Sequence, residues 1–384
     1  MSQDPLSVTT RTSWLSRLGS AFGGVLTGLA LIVASIGLLA WNEGRSVQSI
    51  RANKEGAGAV VSVSPDRIDA ANEGRLVHIT APAAAEGERR DTTLNVSAPG
   101  LLLARKVEHY QWVETSRSES KTKLGGGEET VTTYSYERQW TATPQDSTAF
   151  HQPAGHENPA PAVTNNEFAA EQARVGAFTV DRAVLDQLSA DQPVSATEAH
   201  AAAAAVALGR AVRAENGLLY IGANSSAPAV GDARVTYMVA PQNQPLSIIA
   251  AQAGQELRAY ATQAGSPILM VRKGAASASE MFDQAKASNQ TLSWILRGVG
   301  VAIAIAAFGM VLAPLGVLAD VVPLFGSIVR MGTGLVAGAA GLIVSALVIA
   351  SAWIIYRPLL AVALITVAGA VAAFLVWRAR SKPA

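Results

Sequence analysis

The chain has 384 residues, of which 49% are hydrophobic and 15% charged, and its net charge at pH 7 is +1. Soluble domains carry about 25% charged residues, so this composition predicts a membrane protein. The near-neutral charge does not indicate nucleic-acid binding. The sequence contains no cysteine, which excludes disulfides, thiol catalysis and cysteine-ligated zinc or iron–sulfur sites.

Four apolar runs predict membrane spans. The first, residues 21–41, has no charged residue and is long enough for a bilayer. A stretch containing Arg11 and Arg17 precedes it and no small-residue cleavage site follows, so we predict a retained signal-anchor. The other runs lie at 292–319, 334–356 and 359–377.

Two sets of residues in these runs have predicted roles in the membrane. Aromatic side chains near the run ends are typical of anchors at the membrane–water interface. The predicted anchors are Trp14, Trp41, Trp294, Trp353, Tyr356 and Trp377. Glycines at three- and four-residue spacing permit close helix approach, within one chain or between copies. The predicted packing and self-association positions are Gly24, Gly28, Gly334, Gly338 and Gly341.

The short basic flanks of the runs fall on one side of a four-span protein, which predicts that both termini are cytoplasmic. We therefore expect a multi-pass α-helical membrane protein with a large α+β extracytoplasmic domain between spans 1 and 2. The predicted segments are a cytoplasmic N-terminal tail (1–20), transmembrane helix 1 (21–41), a periplasmic or lumenal domain (42–291), transmembrane helix 2 (292–319), a cytoplasmic or interfacial linker (320–333), transmembrane helices 3 (334–356) and 4 (359–377), and a cytoplasmic C-terminal tail (378–384).

The tetrapeptide Asn-Glu-Gly-Arg occurs twice, at 42–45 and at 72–75. Asparagine and glycine favour helix ends and turns, and glycine is free to adopt positive φ. The first copy directly follows the first apolar run, so it predicts the exit from that span. The second precedes the alternating segment RLVHITA (75–81), so it predicts a turn into a strand.

The predicted exterior domain begins with β-structure and then becomes mixed. Segments 101–115 and 130–142, joined by the Gly-rich KTKLGGGEE, predict a long hairpin. We expect a packed sheet face from its aromatic residues, in preference to a ligand-stacking platform. These residues are Tyr110, Trp112, Tyr134, Tyr136 and Trp140. Further predicted elements are a helix at 197–215, a strand passing into a helix at 245–263, and a helix at 277–300 with a Ser277–Glu280 capping box.

No catalytic motif is present, and GGGEET lacks the lysine and hydroxyl of a phosphate-binding loop. Ser118 and Lys121 match a four-letter Ser-x-x-Lys pattern in a polar turn, which does not provide the desolvated lysine that a catalytic dyad needs. His151 and His156 lie in a Pro-rich loop, where hydrogen bonds to backbone are favoured over a shared metal. We therefore predict no catalytic residues, no cofactor and no metal site.

The order and spacing of several segments carry a family resemblance. They are WNEGR, KEGAGAVVSVSPDRIDAANEGRLVHI, VEHYQWVET, YSYERQW, STAFHQPAGHENP, PAVGDARVTY and SEMFDQAKASNQTLSWILR, followed by three hydrophobic spans. In these features the chain resembles the transmembrane protein 43 (LUMA) family over essentially its whole length. The resemblance implies four spans, a large lumenal or periplasmic domain and no established catalytic residue.

Animal members of that family are proteins of the inner nuclear membrane and endoplasmic reticulum that associate with lamins and emerin and self-associate. The Ala- and Gly-rich usage suggests a bacterial member, for which the expected location is the inner membrane and the lamina does not apply. If the chain is eukaryotic, the resemblance implies the endoplasmic reticulum or inner nuclear membrane.

Three functions follow from the sequence as hypotheses. The leading one is a non-enzymatic membrane scaffold that self-associates and organises membrane proteins or lipids through its exterior domain. The alternative is a module that binds or senses a lipid or envelope ligand. A metal-dependent hydrolase using His151 and His156 is a remote alternative. The expected partners are membrane lipids, further copies of the chain and other membrane proteins, but no nucleic acid.

Overall fold

The computed structural model describes residues 6–356 and residue 366. The chain divides into two compact units. The β-rich unit comprises Met1–Val8, Ala52–Ser118 and Thr132–Asp283, and the helical unit comprises Thr9–Arg51, Glu119–Val131 and Gln284–Ala384. The predicted fourth span (359–377), the C-terminal tail (378–384) and Trp377 lie outside the described residues.

The described α-helices are α1 (Trp14–Ala59), α2 (Arg182–Leu185), α3 (Glu198–Leu208), α4 (Ala278–Ala319) and α5 (Pro323–Tyr356). Three of them, α1, α4 and α5, are long and apolar enough to cross a membrane. The predicted runs at 21–41, 292–319 and 334–356 lie inside these three helices. Each helix is longer than its run. Polar stretches extend the helices α1 and α4, whereas the largely apolar segment PLFGSIVRMGT extends α5.

The strands are β1 (Leu6–Thr12), β2 (Val61–Ser62), β3 (Leu76–Ala84), β4 (Arg89–Asp91), β5 (Val96–Ala98), β6 (Leu102–Thr122), β7 (Glu128–Thr141), β8 (Asn166–Ala169), β9 (Ala173–Val175), β10 (Phe178–Val180), β11 (Gln192–Val194), β12 (Val212–Glu215), β13 (Leu218–Ile221), β14 (Ala233–Ala240), β15 (Pro245–Ala253), β16 (Glu256–Arg258) and β17 (Met270–Lys273). Three apolar helices and a large β-rich domain are therefore present, whereas the predicted four spans and the side of the membrane stay predictions.

One sheet has the strand order β1-β7-β6-β14-β13-β12, with β8 on β6 and β11 on β14. Its long β6–β7 hairpin confirms the hairpin predicted from the aromatic-rich segments. Its core contains inward-facing residues of β6 and β14, such as Val107 and Val235, which pack with Ala201 and Ala204 of α3. The alternating burial along β14 is that of a strand with one face on a core.

A second sheet closes on itself. The strands β3, β15, β16, β10 and β9 pair in a ring, because β3 pairs with both β15 and β9. Alternate residues of β3 and β15 point inward, and Val77, Ile79, Phe178 and Ile248 are at most 1% exposed. This ring encloses the main core of the β-rich unit.

The two Asn-Glu-Gly-Arg copies differ in structure. The second is a turn, as predicted: Gly74 has a φ of +71° and β3 begins at Leu76. The first does not end the helix, because α1 continues without interruption to Ala59. A helix end at this copy is therefore wrong, and the predicted exit from the membrane directly after Trp41 stays a prediction.

Three other predicted elements differ from or agree with the observed structure. The helix predicted within 245–263 is wrong, because β15 and β16 pair around Gly254, whose φ is +59°. The helix predicted at 197–215 ends at Gly209, whose left-handed φ of 61° leads into β12. The capping box is confirmed, because Ser277 and Glu280 each accept a hydrogen bond from the other's backbone N–H.

Candidate functional site

The first Asn-Glu-Gly-Arg copy lies inside α1 on a buried face of the helical unit. Leu39, Asn42, Glu43 and Ser46 are each at most 4% exposed. They recur at the three- and four-residue spacing of one helix face. Buried polar side chains need hydrogen-bond partners within the protein, and each polar member of this face has them.

Arg297 of α4 holds the carboxylate of Glu43 with two hydrogen bonds. Its Nε lies 2.6 Å from Oε1 and its Nη2 lies 2.8 Å from Oε2. The indole N–H of Trp353 in α5 donates to Oε2 at 2.9 Å. The guanidinium carbon lies 4.8 Å from the ring centre of Trp294, within cation–π range. One carboxylate therefore links α1, α4 and α5.

A second set of hydrogen bonds surrounds Arg45. Its Nη1 donates to Oδ1 of Asn289 at 2.9 Å and its Nη2 donates to Oγ of Ser293 at 3.0 Å. Asn42 Nδ2 donates to the Ser293 carbonyl, and Asn289 Nδ2 donates to the Ser46 carbonyl. The polar side chains of the first copy therefore all tie α1 to neighbouring helices.

A second ionic cluster lies at the end of the helical unit where α1 begins. Asp320 is fully buried, and its Oδ2 accepts hydrogen bonds from Arg17 at 2.7 Å and from Arg330 at 2.8 Å. Arg17 also lies 3.1 Å from a carboxylate oxygen of Glu128. Asp320 Oδ1 has no hydrogen-bond partner among the described residues. Two arginines and two acids thus form a charge-balanced group.

The tip of the β6–β7 hairpin contacts this cluster directly. Arg17 Nη1 donates to the Gly126 carbonyl at 2.5 Å, and Gly125 N–H donates to the Val321 carbonyl at 3.1 Å. Gly126 has a φ of +79°, and a Cβ at this position would lie 2.3 Å from Cδ1 of Trp14. Glycine is therefore required here both for the backbone conformation and for the close approach of Trp14.

The predicted interface anchors fall into two groups. Trp41 and Trp294 are 58% and 68% exposed. Trp14 and Trp353 donate their indole N–H groups within the helical unit, to a backbone carbonyl of α4 and to Glu43 respectively. Tyr356 packs so closely on α1 that its hydroxyl would lie 2.9 Å from a Cβ added to Gly44. Interface anchoring by these residues stays a prediction.

The five predicted packing glycines fall into two groups, those that contact another described helix and those that do not. A Cβ added to Gly28 would lie 2.8 Å from the Ala307 carbonyl oxygen, and one added to Gly341 would lie 2.7–2.9 Å from atoms of Ile305. These two glycines permit close contacts of α1 and α5 with α4. The remaining three would meet no described heavy atom within 4 Å, and they are Gly24, Gly334 and Gly338.

The two loop histidines pack against aromatic rings of the hairpin. His151 stacks on Tyr134 with ring centres 4.1 Å apart, and His156 stacks on Tyr136 at 3.9 Å. Trp112 meets His156 edge-on at 4.8 Å. Across residues 6–356 no group of three or more His, Cys, Asp or Glu side chains is placed to hold a metal. The histidines therefore serve to pack the loop on the sheet.

One predicted cross-strand aromatic pair is present in the hairpin. Tyr110 of β6 and Trp140 of β7 have ring centres 5.2 Å apart, and Arg234 lies 3.9 Å above the Trp140 ring. The interpretation as a packed sheet face therefore describes this aromatic set better than a ligand-stacking platform does.

The β-rich unit contains a buried ionic group. Asp91 is fully buried, and its Oδ2 accepts hydrogen bonds from Arg105 at 2.5 Å and from the Tyr237 hydroxyl at 2.6 Å. Burial, followed by the hydrogen bond to Asp91, raises the pKa of Tyr237 well above its usual value. The group is fully paired, so its arrangement is that of a structural tie.

Comparisons with known proteins agree on one family. The sequence profile of the family described as Transmembrane protein 43 matches residues 109–358. The chain is similar to Transmembrane protein 43 of Rattus norvegicus, with 31% identity over 90% of this chain and 88% of the relative. It is also similar to Transmembrane protein 43 of Homo sapiens (30% identity, 92% and 90%) and to the Drosophila melanogaster homolog (26%, 77% and 76%). No solved structure matches.

Proposed function

The chain belongs to the transmembrane protein 43 family of membrane proteins, and on that premise we propose that it is a non-enzymatic, self-associating membrane scaffold. In this role it organises membrane proteins or lipids through the domain between its first two spans. Family membership supplies the membrane location. The scaffold role is supported by the arrangement of the helices.

The observation that carries self-association is the open glycine face of α5. Gly334 and Gly338 are one helical turn apart and meet no described side chain, whereas Gly341 is already occupied by Ile305. Small residues one turn apart let a second helix approach closely in lipid, where van der Waals packing drives association. Another copy of this chain is the partner that a scaffold would place there.

The absence of enzymatic activity is supported by how the polar residues are used. Glu43, Arg297 and Asp320 are held in ion pairs between helices, and the two loop histidines are stacked on tyrosines. In the part of the chain that the structure describes, none of these groups is presented to a substrate cavity as a free acid, base or metal ligand.

Self-association is tested by cross-linking in native membranes. We expect the wild-type chain to give cross-linked species larger than one chain, and Gly338→Leu to reduce them severalfold because leucine holds the helices apart. Gly309→Leu in α4 is the matched control, since its Cβ also meets no described atom and it lies outside the glycine face. A wild-type chain that stays strictly monomeric contradicts the proposal.

The organising role is tested by affinity purification from native membranes, with mass spectrometry of co-purified proteins and lipids. We expect a reproducible set that remains with Gly309→Leu and is diminished in Gly338→Leu. If the same set is recovered with both variants, partner binding does not depend on self-association. That result would contradict a scaffold that organises its partners by self-associating.

The proposal also includes the type of membrane and the orientation of the chain in it. We place the chain in a bacterial inner membrane because of its Ala- and Gly-rich composition. We place both termini in the cytoplasm and the β-rich unit in the periplasm because the short basic flanks follow the positive-inside rule. Reporter fusions at the N-terminus and at the exposed α3 check this. We expect the N-terminal fusion to report cytoplasm and the α3 fusion periplasm, and the reverse pattern would contradict the orientation.

The alternative function, a module that binds a lipid or envelope ligand, has one feature in its favour. An open groove of about 660 Å³ in the β-rich unit is lined in part by two arginines, Arg89 and Arg174, and by two glutamates, Glu86 and Glu171. The guanidinium groups could pair with the phosphate or carboxylate of a headgroup. Binding of the purified protein to anionic but not zwitterionic vesicles, lost in Arg174→Ala, would favour this function over the scaffold.

A further inference from the structure

The tip of the β6–β7 hairpin is part of the helical unit. Residues 119–131 belong to the same compact unit as the apolar parts of α1, α4 and α5. Within that unit the N–H of Gly125 donates to the Val321 carbonyl at 3.1 Å, and Arg17 donates to the Gly126 carbonyl at 2.5 Å. The tip is therefore fixed to the start of α1 and to the turn between α4 and α5.

These attachment points lie where the predicted spans end. The first apolar run begins shortly after Arg17, the second ends directly before Asp320, and the third begins shortly after Arg330. Asp320 accepts hydrogen bonds from both arginines, so the three ends lie at one level. Charged side chains are costly in hydrocarbon and are tolerated near span ends, where they reach the headgroups. The hairpin tip therefore lies at a boundary of the apolar layer.

The surface beside the tip is apolar and uncovered. Leu124 of the tip is 86% exposed. Four side chains of the adjoining α4–α5 turn and the start of α5 are 43–68% exposed, and they are Val321, Val322, Leu324 and Phe325. We call these five side chains the tip surface. An exposed apolar patch of this kind marks contact with a membrane or with another protein.

The charged groups around the tip surface present their cations outward. Arg11 and Lys123 both pair with Glu129, and their side chains are 82% and 54% exposed against 24% for the glutamate. Arg330 is 44% exposed, whereas its partner Asp320 is fully buried. The acids therefore face the protein and the cations face the surroundings. This arrangement complements the anionic headgroups of a membrane surface.

We propose that the tip surface is seated in the headgroup region of the membrane, and that Arg11, Lys123 and Arg330 select anionic phospholipids around it. An apolar surface at this boundary is stabilised by leaving water, and each exposed cation near anionic lipid adds attraction. The hairpin thereby becomes a lipid-contacting element beside the spans. The inference goes beyond the proposed function, because it requires neither self-association nor a ligand in the β-rich unit.

The lipid contact is tested with one fluorophore on one cysteine, since the chain has no cysteine of its own. The full-length Leu124→Cys protein carries the polarity-sensitive dye NBD in vesicles whose phospholipids bear a quencher near the headgroup. We expect strong quenching by these lipids and weak quenching by iodide in the water. Ile343→Cys, 59% exposed in the third apolar run, is the reference for a lipid-facing label. Val206→Cys on α3 is as exposed as Leu124 and is the reference for the β-rich unit.

Two outcomes overturn the lipid contact. Quenching of the Leu124→Cys label by iodide alone would place the tip in water. Shielding from both quenchers would show that protein covers the tip surface, as a second copy would. Phe325→Cys repeats the measurement from the α5 side of the tip surface, so a local distortion of the hairpin by the Leu124→Cys label does not decide the result.

The selection of anionic lipid is tested by moving the quencher between lipids. At equal mole fraction, we expect quencher-bearing phosphatidylglycerol to quench the Leu124→Cys label severalfold more than quencher-bearing phosphatidylcholine. Arg11→Gln/Lys123→Gln in the same protein should reduce this preference, and the charge-preserving Arg11→Lys/Lys123→Arg should retain it. The preference should also weaken at high salt. Equal quenching by the two lipids without these substitutions overturns the selection.

The lipid contact and the proposed scaffold fail in different ways. A strictly monomeric protein whose Leu124→Cys label is quenched from the lipid removes the scaffold and leaves the lipid contact intact. An oligomer whose Leu124→Cys label is quenched only from the water leaves the scaffold intact and removes the lipid contact.

Discussion

Both carboxylate oxygens of Glu43 are held by the guanidinium of Arg297, at 2.6 and 2.8 Å. The two side chains are only 1% and 14% exposed, so the ion pair is largely shielded from solvent. The Trp353 indole completes the hydrogen bonding of Glu43. This geometry explains the first Asn-Glu-Gly-Arg copy as a tie between helices.

Removal of one partner of this pair should destabilise the protein strongly. Glu43→Ala leaves a buried guanidinium without its counter-charge, for which we expect a loss of about 3–5 kcal/mol in the free energy of unfolding. Glu73→Ala changes the glutamate of the second copy, which is exposed and accepts one hydrogen bond from Gly254. We expect a loss of about 1 kcal/mol or less there. Thermal unfolding in detergent compares the two variants.

The double variant Glu43→Leu/Arg297→Met removes both charges of the ion pair and so measures how strongly the two side chains depend on each other. Because no unpaired charge remains, we expect its loss to be smaller than the sum of the two single losses. Additive losses in the same assay would show that Glu43 and Arg297 stabilise the helices independently of each other.

Gly28 and Gly24 of the first span should differ in their tolerance of a larger side chain. Gly28→Val places its Cβ 2.8 Å from the Ala307 carbonyl oxygen, so overpacking should lower the free energy of unfolding by about 1–3 kcal/mol. Gly24→Val has open space among the described atoms and should be nearly neutral for unfolding. Thermal unfolding of both proteins in one detergent checks this, and equal losses would contradict the close approach of α1 to α4.

Acid should destabilise the β-rich unit through its buried histidines. Nε2 of His78 donates to the Ala276 carbonyl at 2.9 Å, and Nδ1 lies 3.2 Å from the Ser62 hydroxyl. Burial lowers the pKa of His78 below its ordinary value of 6.5, with a smaller opposing effect of the Ala276 carbonyl. Burial also lowers the pKa of His109.

The unfolded chain then binds more protons than the folded chain at pH values near and below 6.5. The contribution of His78 and His109 to the free energy of unfolding is therefore fully present above about pH 6.5, and it is lost as the pH falls below that value. Chemical unfolding across about pH 7.5 to 5.5 should therefore show a shallower loss for His78→Gln than for wild type. The loss should be shallower still when His109→Gln is added. Parallel curves would contradict this assignment.

The docking of the hairpin tip should depend on Gly126 more than on its neighbour. Gly125 and Gly126 both have positive φ, but only at Gly126 would a Cβ collide with Trp14. Gly125→Ala therefore measures the backbone strain alone, which is about 1–2 kcal/mol. Gly126→Ala adds the steric clash and should shift the fluorescence of Trp14 in a chain whose other tryptophans are replaced. No difference between the two variants would contradict the contact.

Local sequence signals predicted much of this architecture, and long-range contacts account for what they missed. The hairpin follows from two β-rich segments around a Gly-rich turn, and the second Asn-Glu-Gly-Arg copy follows from turn chemistry. In the first copy, the same residues remain helical because Arg297 and Asn289, about 250 positions away, provide their partners. A single sequence does not pair such distant residues.

The prediction of packing glycines was limited for the same reason, because a single sequence does not show which helices meet. Spacing identified Gly28 and Gly341 as packing positions, but only the folded helices show that these two meet α4 while Gly334 and Gly338 remain open among the described residues. The 245–263 segment was misjudged because its alanine-rich composition favours a helix. Pairing of β15 with β3 and β17 outweighs that local preference.

Native mass spectrometry of the wild-type protein released from lipid tests the scaffold proposal most directly. The account predicts a discrete oligomer that dissociates in Gly338→Leu and persists in Gly309→Leu. A wild-type protein that is released only as a monomer, under conditions that preserve bound lipid, would contradict the account.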